Sequence, residues 1–298
     1  MDWRQFVMDL ETLNPDTVED IFARHGARSI TFTHAGGHPV LEPAPGEMPL
    51  WPDARIMALF ADDVDFESLK TDLRRSLRLD ALPGHRIEDL EDRVWEREWQ
   101  KDIGPMRFGE RLWVCPADTR PDSAGAVIVR LDPGLAFGTG AHPTTAMCLE
   151  WLDGQSLVGQ TLLDFGCGSG VLAIAALKLG CSSAWALDTD PQAIIATRQN
   201  AISNAVDAKI RLIGDASEIS VVFDVVVANI LARPLIDHAR LIAGRVRSGG
   251  ALALSGILSA QVDDVADAYR AWIDFAAPVY RTDTAQTWAI LTGRKIES

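Results

Sequence analysis

Seven residues, Asp164-Phe165-Gly166-Cys167-Gly168-Ser169-Gly170, close one apolar run and open the next. Glycine at alternate positions lets the backbone turn sharply and lets a ligand come within contact distance of the chain. A G-x-G alone is a weak signal, and its surroundings decide the ligand. A dinucleotide fingerprint wants Gly or Ala at the sixth position, where this chain has Val171, and an acidic Asp164 is a poor neighbour for a diphosphate. The same carboxylate suits a ligand carrying an ammonium and a sulfonium. Asp188 follows Gly166 by 22 residues, at the expected tip of the next strand, where a carboxylate accepts hydrogen bonds from both hydroxyls of a ribose. A strand-tip Asp also serves as a helix cap, and the neighbouring Asp190 stands just before Pro191 for that purpose.

Three further segments carry polar groups in apolar surroundings. Asp215, in Gly214-Asp215-Ala216, either meets an adenine edge or is simply a turn residue. Asn229 ends the apolar run Val225-Val226-Val227-Ala228, and an amide in that position is costly unless paired, so it is expected to face the cleft above the sheet. Its carboxamide oxygen can accept from a substrate amine and aim the nitrogen lone pair. Upstream, 131–145 reads Leu-Asp-Pro-Gly-Leu-Ala-Phe-Gly-Thr-Gly-Ala-His-Pro-Thr-Thr, too rich in Gly and Pro for regular structure and too apolar for a solvated linker. Functional loops have such a composition. Gly168 and Phe137 join the candidate ligand contacts, and Thr144 or Thr145 is expected to cap the helix running to Leu152 while offering a hydroxyl to the ligand. A lone loop histidine such as His142 is more often structural than a general base.

The elements that must position these residues fall into two rhythms. In the first, strands at Trp3–Leu10, Arg28–Thr33 and Arg55–Phe60, a helix opening at Asn14-Pro15-Asp16 and ending at Gly26, and a helix carrying Phe66, Leu69, Leu73 and Leu77 lead to a weaker strand near Arg86–Leu90. That β-α-β-β-α-β order predicts a small ferredoxin-like α+β domain over 1–92. Trp95 and Trp99, four apart in a helical linker over 93–106, read as packing anchors. Strands at Arg107–Pro116 and Ala126–Leu131 lead into a doubly wound α/β sheet within 107–298. Its strands are expected at Leu162–Phe165, Ala184–Leu187, Ile210–Ile213, Val225–Ala228, Ala251–Ser255, Ala276–Arg281 and Trp288–Leu291. Its helices are expected at Val171–Leu179, Gln192–Asn204, Leu235–Val246 and Ala260–Trp272.

Charge is unevenly spread. Of the net −14, residues 1–100 carry −10, from 21 Asp and Glu against 11 Lys and Arg. Such a surface repels phosphate backbones and steers cationic partners, or merely keeps the protein soluble. Four dispersed cysteines without metal-ligand spacing point to a reducing cytoplasm and to no metal site. The charged residues near Met1 and the lack of a long apolar run argue against a signal peptide or a membrane span.

The segments 131–145, 164–178, 188–193 and 226–235, together with Ser255-Gly256-Ile257-Leu258, closely resemble the ribosomal protein methyltransferases of the PrmA type. The resemblance also covers 41–51 and 95–116, so it extends over nearly the whole chain, most weakly in the first forty residues. The resemblance implies the Rossmann-like sheet of class I methyltransferases, an N-terminal substrate-recognition domain, S-adenosylmethionine as cofactor with contacts at Thr145, Gly166, Asp188 and Asn229, and methylation of lysines and the N-terminal amine of a basic large-subunit ribosomal protein. Charge, cysteine usage and hydropathy add the expectation of a cytoplasmic protein without direct nucleic-acid or membrane partners, and a monomer is expected. Asn229-Ile230-Leu231-Ala232 departs from the Asn/Asp-Pro-Pro-Tyr motif of many amide and nucleobase methyltransferases and fits this family's own version. The rival readings are a methyltransferase acting on another protein, an assembly factor that binds the cofactor without turnover, and, least favoured, a nicotinamide oxidoreductase.

Overall fold

The computed structural model describes residues 3–34, 54–90, 104–116, 119, 121, 123, 125–131, 142–283 and 286–297. The chain divides into two compact units, Met1–Trp95 and Glu96–Ser298. Expectations for Trp95, Trp99, Phe137 and most of the 131–145 loop lie outside the described residues.

In the first unit, β1 (Trp3–Asp9), α1 (Pro15–Arg24), β2 (Ser29–His34), β3 (Ala54–Ala61), α2 (Phe66–Leu77) and β4 (His85–Leu90) follow the expected order. The sheet runs β2-β3-β1-β4, antiparallel at every step, so each βαβ unit is split by a strand of the other. The strand that looked weak in sequence pairs with β1 from Met8↔His85 to Trp3↔Leu90. Asn14 starts α1 by accepting from Thr17 N at 3.0 Å, and Asp65 starts α2 by accepting from Glu67 N and Ser68 N. Alternation in β3 and the Phe66-Leu69-Leu73 stripe of α2 face one core, where Phe6, Phe22, Phe60 and Phe66 meet edge-on or stacked at 5.4–6.0 Å.

The second unit opens with β5 (Met106–Phe108), β6 (Leu112–Cys115) and β7 (Val127–Arg130), a small sheet in that order. The single strand expected over Arg107–Pro116 is instead a hairpin. Gly109 turns it at φ +70°, and the buried Asp153 carboxylate binds the freed amides of Glu110 (2.6 Å) and Arg111 (3.1 Å). On β7, the Asn204 side chain accepts from Arg130 N at 2.8 Å and donates to Arg130 O at 2.6 Å.

Next come α3 (Pro143–Asp153), β8 (Thr161–Phe165), α4 (Val171–Lys178), β9 (Ser183–Leu187), α5 (Pro191–Ser203), β10 (Ile210–Ile213) and β11 (Phe223–Asn229). They are followed by α6 (Ala232–Asp237), α7 (Ala239–Arg245), β12 (Val246–Leu258), α8 (Val262–Tyr269), β13 (Ile273–Phe275), β14 (Val279–Thr282) and β15 (Thr287–Lys295). The main sheet is ordered β10-β9-β8-β11-β12-β15-β13, with β14 on β15; it is parallel from β10 to β12, and β15 runs antiparallel to β12. Both faces are covered, which is why the strands read as unbroken apolar runs. Val225 and Val227 face the core under α3 and α4, while Val226 and Ala228 face the core under α6, α7 and α8.

Three expectations are corrected. The helix expected over Leu235–Val246 is two short helices meeting at His238, and Val246 already begins β12. The last helix is shorter than expected, Val262–Tyr269, after a 3-10 turn at Ser259–Gln261. The strand expected over Ala276–Arg281 does not exist as one element: Pro278 has no N–H to donate, and the segment 276–278 separates β13 from β14.

Candidate functional site

The chain leaves β8, winds outward through β9 and β10, and returns to β11 beside β8, so the order reverses between β8 and β11. In open α/β sheets ligands bind outside the carboxyl ends of the strands at that reversal. The glycine turn follows β8, Asp188 follows β9, Asp215 follows β10 and Asn229 ends β11, so four of the sequence-derived groups share one rim of the sheet.

Gly166, Gly168 and Gly170 all have positive φ (+81°, +53° and +78°). The turn is tied back to the sheet by Gly166 N and Cys167 N, both donating to Leu187 O at 2.8 and 2.9 Å. Gly170 begins α4 without a side chain to cap it. Asp164, upstream on β8, supplies the missing acceptor: its Oδ2 takes the Ala173 N–H at 3.1 Å. This carboxylate is fully buried, and its Oδ1 has no hydrogen-bond partner among the described residues. Burial pushes its pKa up to about 7; the Ala173 bond opposes that rise and the nearby Asp188 adds to it.

A cationic ligand seated in the neighbouring glycine cradle would lie beside this buried carboxylate and that of Asp188. Without such a ligand, the folded state holds a proton on Asp164 that the unfolded chain, with its carboxyl near 3.8, has released. This group's contribution to stability therefore declines as pH rises from about 4 to about 7. Asp164→Asn keeps an acceptor for Ala173 and removes the charge. Its melting temperature should exceed that of the unaltered, ligand-free protein by more at about pH 8 than at about pH 5. A gain independent of pH would show that Asp164 does not titrate in this window.

Asp188 accepts from Gly168 N at 2.9 Å on one oxygen and from Asp190 N at 3.0 Å on the other, so the carboxylate is oriented by the glycine turn itself. Asp190 caps α5 through Gln192 N at 2.8 Å, which divides the two roles left open in the sequence. Asp215 lies exposed beyond β10 and accepts from Ser217 N at 2.8 Å; that bond holds its pKa below the usual range. It makes the bond of a turn residue and stands exposed at the same rim of the sheet.

Opposite the glycine turn, Asn229 donates from Nδ2 to the buried Thr145 Oγ1 at 3.1 Å. The expected cap by Thr144 or Thr145 is corrected: His142 is the N-cap of α3. Its Nδ1 accepts from Thr144 N at 3.4 Å and contacts Thr144 Oγ1 at 2.7 Å, while its ring packs on Trp288 at 4.8 Å. The bond from Thr144 N requires an unprotonated Nδ1, and burial pulls the His142 pKa down in the same sense. Thr145 is left one turn inside the helix, with its hydroxyl turned to Asn229.

Sequence reading missed the supports. Thr197 Oγ1 donates to Gly168 O at 2.9 Å and Asn200 Nδ2 to Ser169 O at 2.9 Å, so buried polar groups of α5 pin the glycine turn from behind. Ser255 Oγ reaches Thr144 O and Ala289 O, each at 3.3 Å. The signal was present but inverted: α5 turns Ile195 and Ile202 to solvent and Thr197, Asn200 and Asn204 inward. The four cysteines are free and buried; burial raises Cys148 and Cys181 to about 12 and raises Cys115 and Cys167 as well, so none is an activated nucleophile.

Comparison with known proteins agrees with this geometry. The family model described as "Ribosomal protein L11 methyltransferase (PrmA)" matches residues 2–296. A ribosomal protein L11 methyltransferase of Klebsiella pneumoniae (strain 342) is 47% identical over 300 residues, 99% of this chain and 100% of its own. One from Mannheimia succiniciproducens is 45% identical over 295 residues, covering 99% of each chain. Among solved structures, a ribosomal protein L11 methylase from Lactobacillus delbrueckii subsp. bulgaricus superposes with a TM-score of 0.59 at 30% identity, covering 65% of this chain and all of its own.

Proposed function

Since the chain belongs to the ribosomal protein L11 methyltransferase (PrmA) family, we propose that it transfers methyl groups from S-adenosylmethionine to lysine side chains and the N-terminal amine of ribosomal protein L11. The observation that carries the proposal is the pairing of Asn229 with Thr145 across the sheet reversal from the glycine turn. It sets an oriented carboxamide opposite a cradle for a cationic ligand.

S-adenosylmethionine supplies a methyl group on a sulfonium, open to attack by a neutral amine. The residues that would hold it are Gly166 and Gly168, whose backbones permit close approach, Asp188 at the ribose hydroxyls, Asp164 toward the positive end, Asp215 at the adenine edge, and Thr145. Phe137 is retained as a contact from its place in the 131–145 loop of the sequence and lies outside the described residues. The new nitrogen–carbon bond forms as the carbon–sulfur bond breaks, in line, so the chain's task is chiefly positioning. A lysine ammonium, with a pKa of about 10.4, must first give its proton to water. Asn229 then accepts an N–H of the neutral amine through its carboxamide oxygen and fixes the lone-pair direction. Its amide nitrogen donates to Thr145 Oγ1, which ties the side chain to α3 and limits its rotation.

The unit within 1–92 is the recognition domain in this reading, 93–106 the helical linker, and 107–298 the methyltransferase domain. Its acidic excess draws a basic protein and repels nucleic acid. Among the described residues no helix is long and apolar enough to cross a membrane. The enzyme is taken to act as a monomer in the cytoplasm, where its substrate is made.

The deciding experiment incubates the purified full chain with S-adenosylmethionine and L11 and reads the product by mass spectrometry. Increments of whole methyl groups on amine-bearing residues are expected; cofactor binding without any increment would favour a non-enzymatic assembly role. Asp188→Ala should weaken cofactor binding by about 1.5 to 3 kcal/mol, the range for hydrogen bonds to a charged group, as measured by calorimetry. Tighter binding of NAD than of S-adenosylmethionine would end the methyltransferase reading.

A further inference from the structure

Ser255 and Gly256 stand near the carboxyl end of β12, at the same rim of the sheet as Asn229. The ladder between β11 and β12 ends at the pair Asn229↔Ser255, and β12 then slips register against β15 between Leu254 and Ile257. At the slip, Gly256 has φ +85°. A Cβ built there would overlap the Ile230 carbonyl oxygen and lie 2.7 Å from the carbonyl carbon and 3.1 Å from the amide nitrogen. Gly256 is therefore the floor on which the peptide after Asn229 rests. Ser255, its neighbour, has its hydroxyl 3.3 Å from Thr144 O, the peptide before Thr145, and 3.3 Å from Ala289 O, so its one proton is shared between the two carbonyls.

Two adjacent residues of one buried strand thus locate both halves of the Thr145–Asn229 pair, one through a hydrogen bond and one through backbone contact. Ile230 extends the same arrangement to the cofactor side: a Cβ on Gly166 would strike its Cγ2.

We infer that Ser255-Gly256 is the positioning element for Asn229, setting its carboxamide through the seated Ile230 peptide on one side and the Thr144 carbonyl on the other. The inference rests on the proposed role of Asn229 in transfer. The two glycine contacts differ in kind. At Gly166 the obstacle is a side-chain methyl, which a substitution at Ile230 removes. At Gly256 it is the peptide itself, which no substitution at Ile230 removes.

The test uses the full chain. Methyl transfer to L11 by the unaltered protein tests the proposed function, and the ratio of each variant to it tests the positioning element. Gly256→Ala is expected to lower kcat by about tenfold to a hundredfold, since a shift of about 1 Å at a reacting group can cost about 10²-fold. Cofactor affinity by calorimetry should stay within about threefold, because the glycine turn and Asp188 are untouched. Adding Ile230→Ala to Gly256→Ala should restore nothing, whereas adding it to Gly166→Ala should recover part of the lost cofactor binding. Ser255→Ala, free of backbone strain, should lower kcat in the same selective manner and covers the case in which Gly256→Ala does not fold.

A readout apart from activity is the Asn229 side-chain amide resonance in the ligand-free protein. It should move in Ser255→Ala and in Gly256→Ala as the bond to Thr145 is disturbed. An unmoved resonance, kcat within twofold of the unaltered chain, or kcat and cofactor affinity falling in step would each overturn the inference.

Discussion

Asn229→Ala should reduce methyl transfer to L11 by about 10²-fold or more in kcat, with a much smaller loss in cofactor affinity. The estimate follows the usual cost of deleting one preorganised polar group aimed at the reacting centre. Three features make this side chain costly to lose. It terminates a buried parallel strand, so its backbone cannot drift to compensate. Its amide is held by Thr145 at 3.1 Å, so its orientation is set before substrate arrives. Its oxygen acts on the amine only while the lone pair is being aimed, so its contribution belongs to the transition state more than to the bound ground state. Thr145→Val, which keeps the bulk and removes the hydroxyl, should show a weaker version of the same selectivity. Steady-state kinetics on L11 alongside calorimetry with the cofactor separates the outcomes. Equal losses in kcat and in cofactor affinity would make Asn229 a cofactor ligand and nothing more.

Removing residues 1–103 should all but abolish activity on L11 while leaving cofactor binding nearly intact. The second compact unit retains the glycine turn, Asp188, Asn229 and both layers of apolar packing on the main sheet. The deleted part holds most of the acidic excess, −10 of −14 over residues 1–100. Without it the target amine meets the site only by bimolecular encounter, and the effective concentration supplied by docking is lost. A short lysine peptide, which never depended on docking, should be methylated equally poorly by both forms. Full-length activity on L11 should weaken as salt is raised, because exposed charges are screened beyond about 8 to 10 Å near physiological ionic strength. Truncated protein working on L11 at the full-length rate would mean that the first unit is not the recognition element and that its charge only keeps it in solution.

The parts of the fold that follow from periodicity were legible in the sequence. Split βαβ units and a doubly wound sheet announce themselves through alternation, helical spacing and turn residues, and strand tips locate Asp188 and Asn229 once the strands are placed. Elements that depend on tertiary partners were not. The hairpin at Gly109 exists because Asp153, far along the chain, accepts its amides. The break at His238 and the interruption at Pro278 fall inside runs that local propensity would continue. Among the site residues, Asp164 was read as a ligand contact; its second task, capping α4 in place of Gly170, appears only when β8 and α4 are set side by side. Thr197 and Asn200 were overlooked because polar residues on a helix ordinarily face water, and here they are buried beside Ala193 and Ala201 while Ile195 and Ile202 are exposed.

The Asn204 carboxamide that binds both backbone groups of Arg130 has a consequence for the protein's behaviour among its own kind. β7 is the outer strand of its small sheet, and an outer strand offers donors and acceptors on which another chain can crystallise a new strand. A primary amide carries one acceptor oxygen and two N–H donors; here the oxygen takes the Arg130 N–H, one N–H goes to Arg130 O and the other to Asn200 O, so a single side chain occupies the peptide groups that a foreign strand would pair with at Arg130. At that position the edge is closed to templated stacking by a residue outside the proposed chemistry.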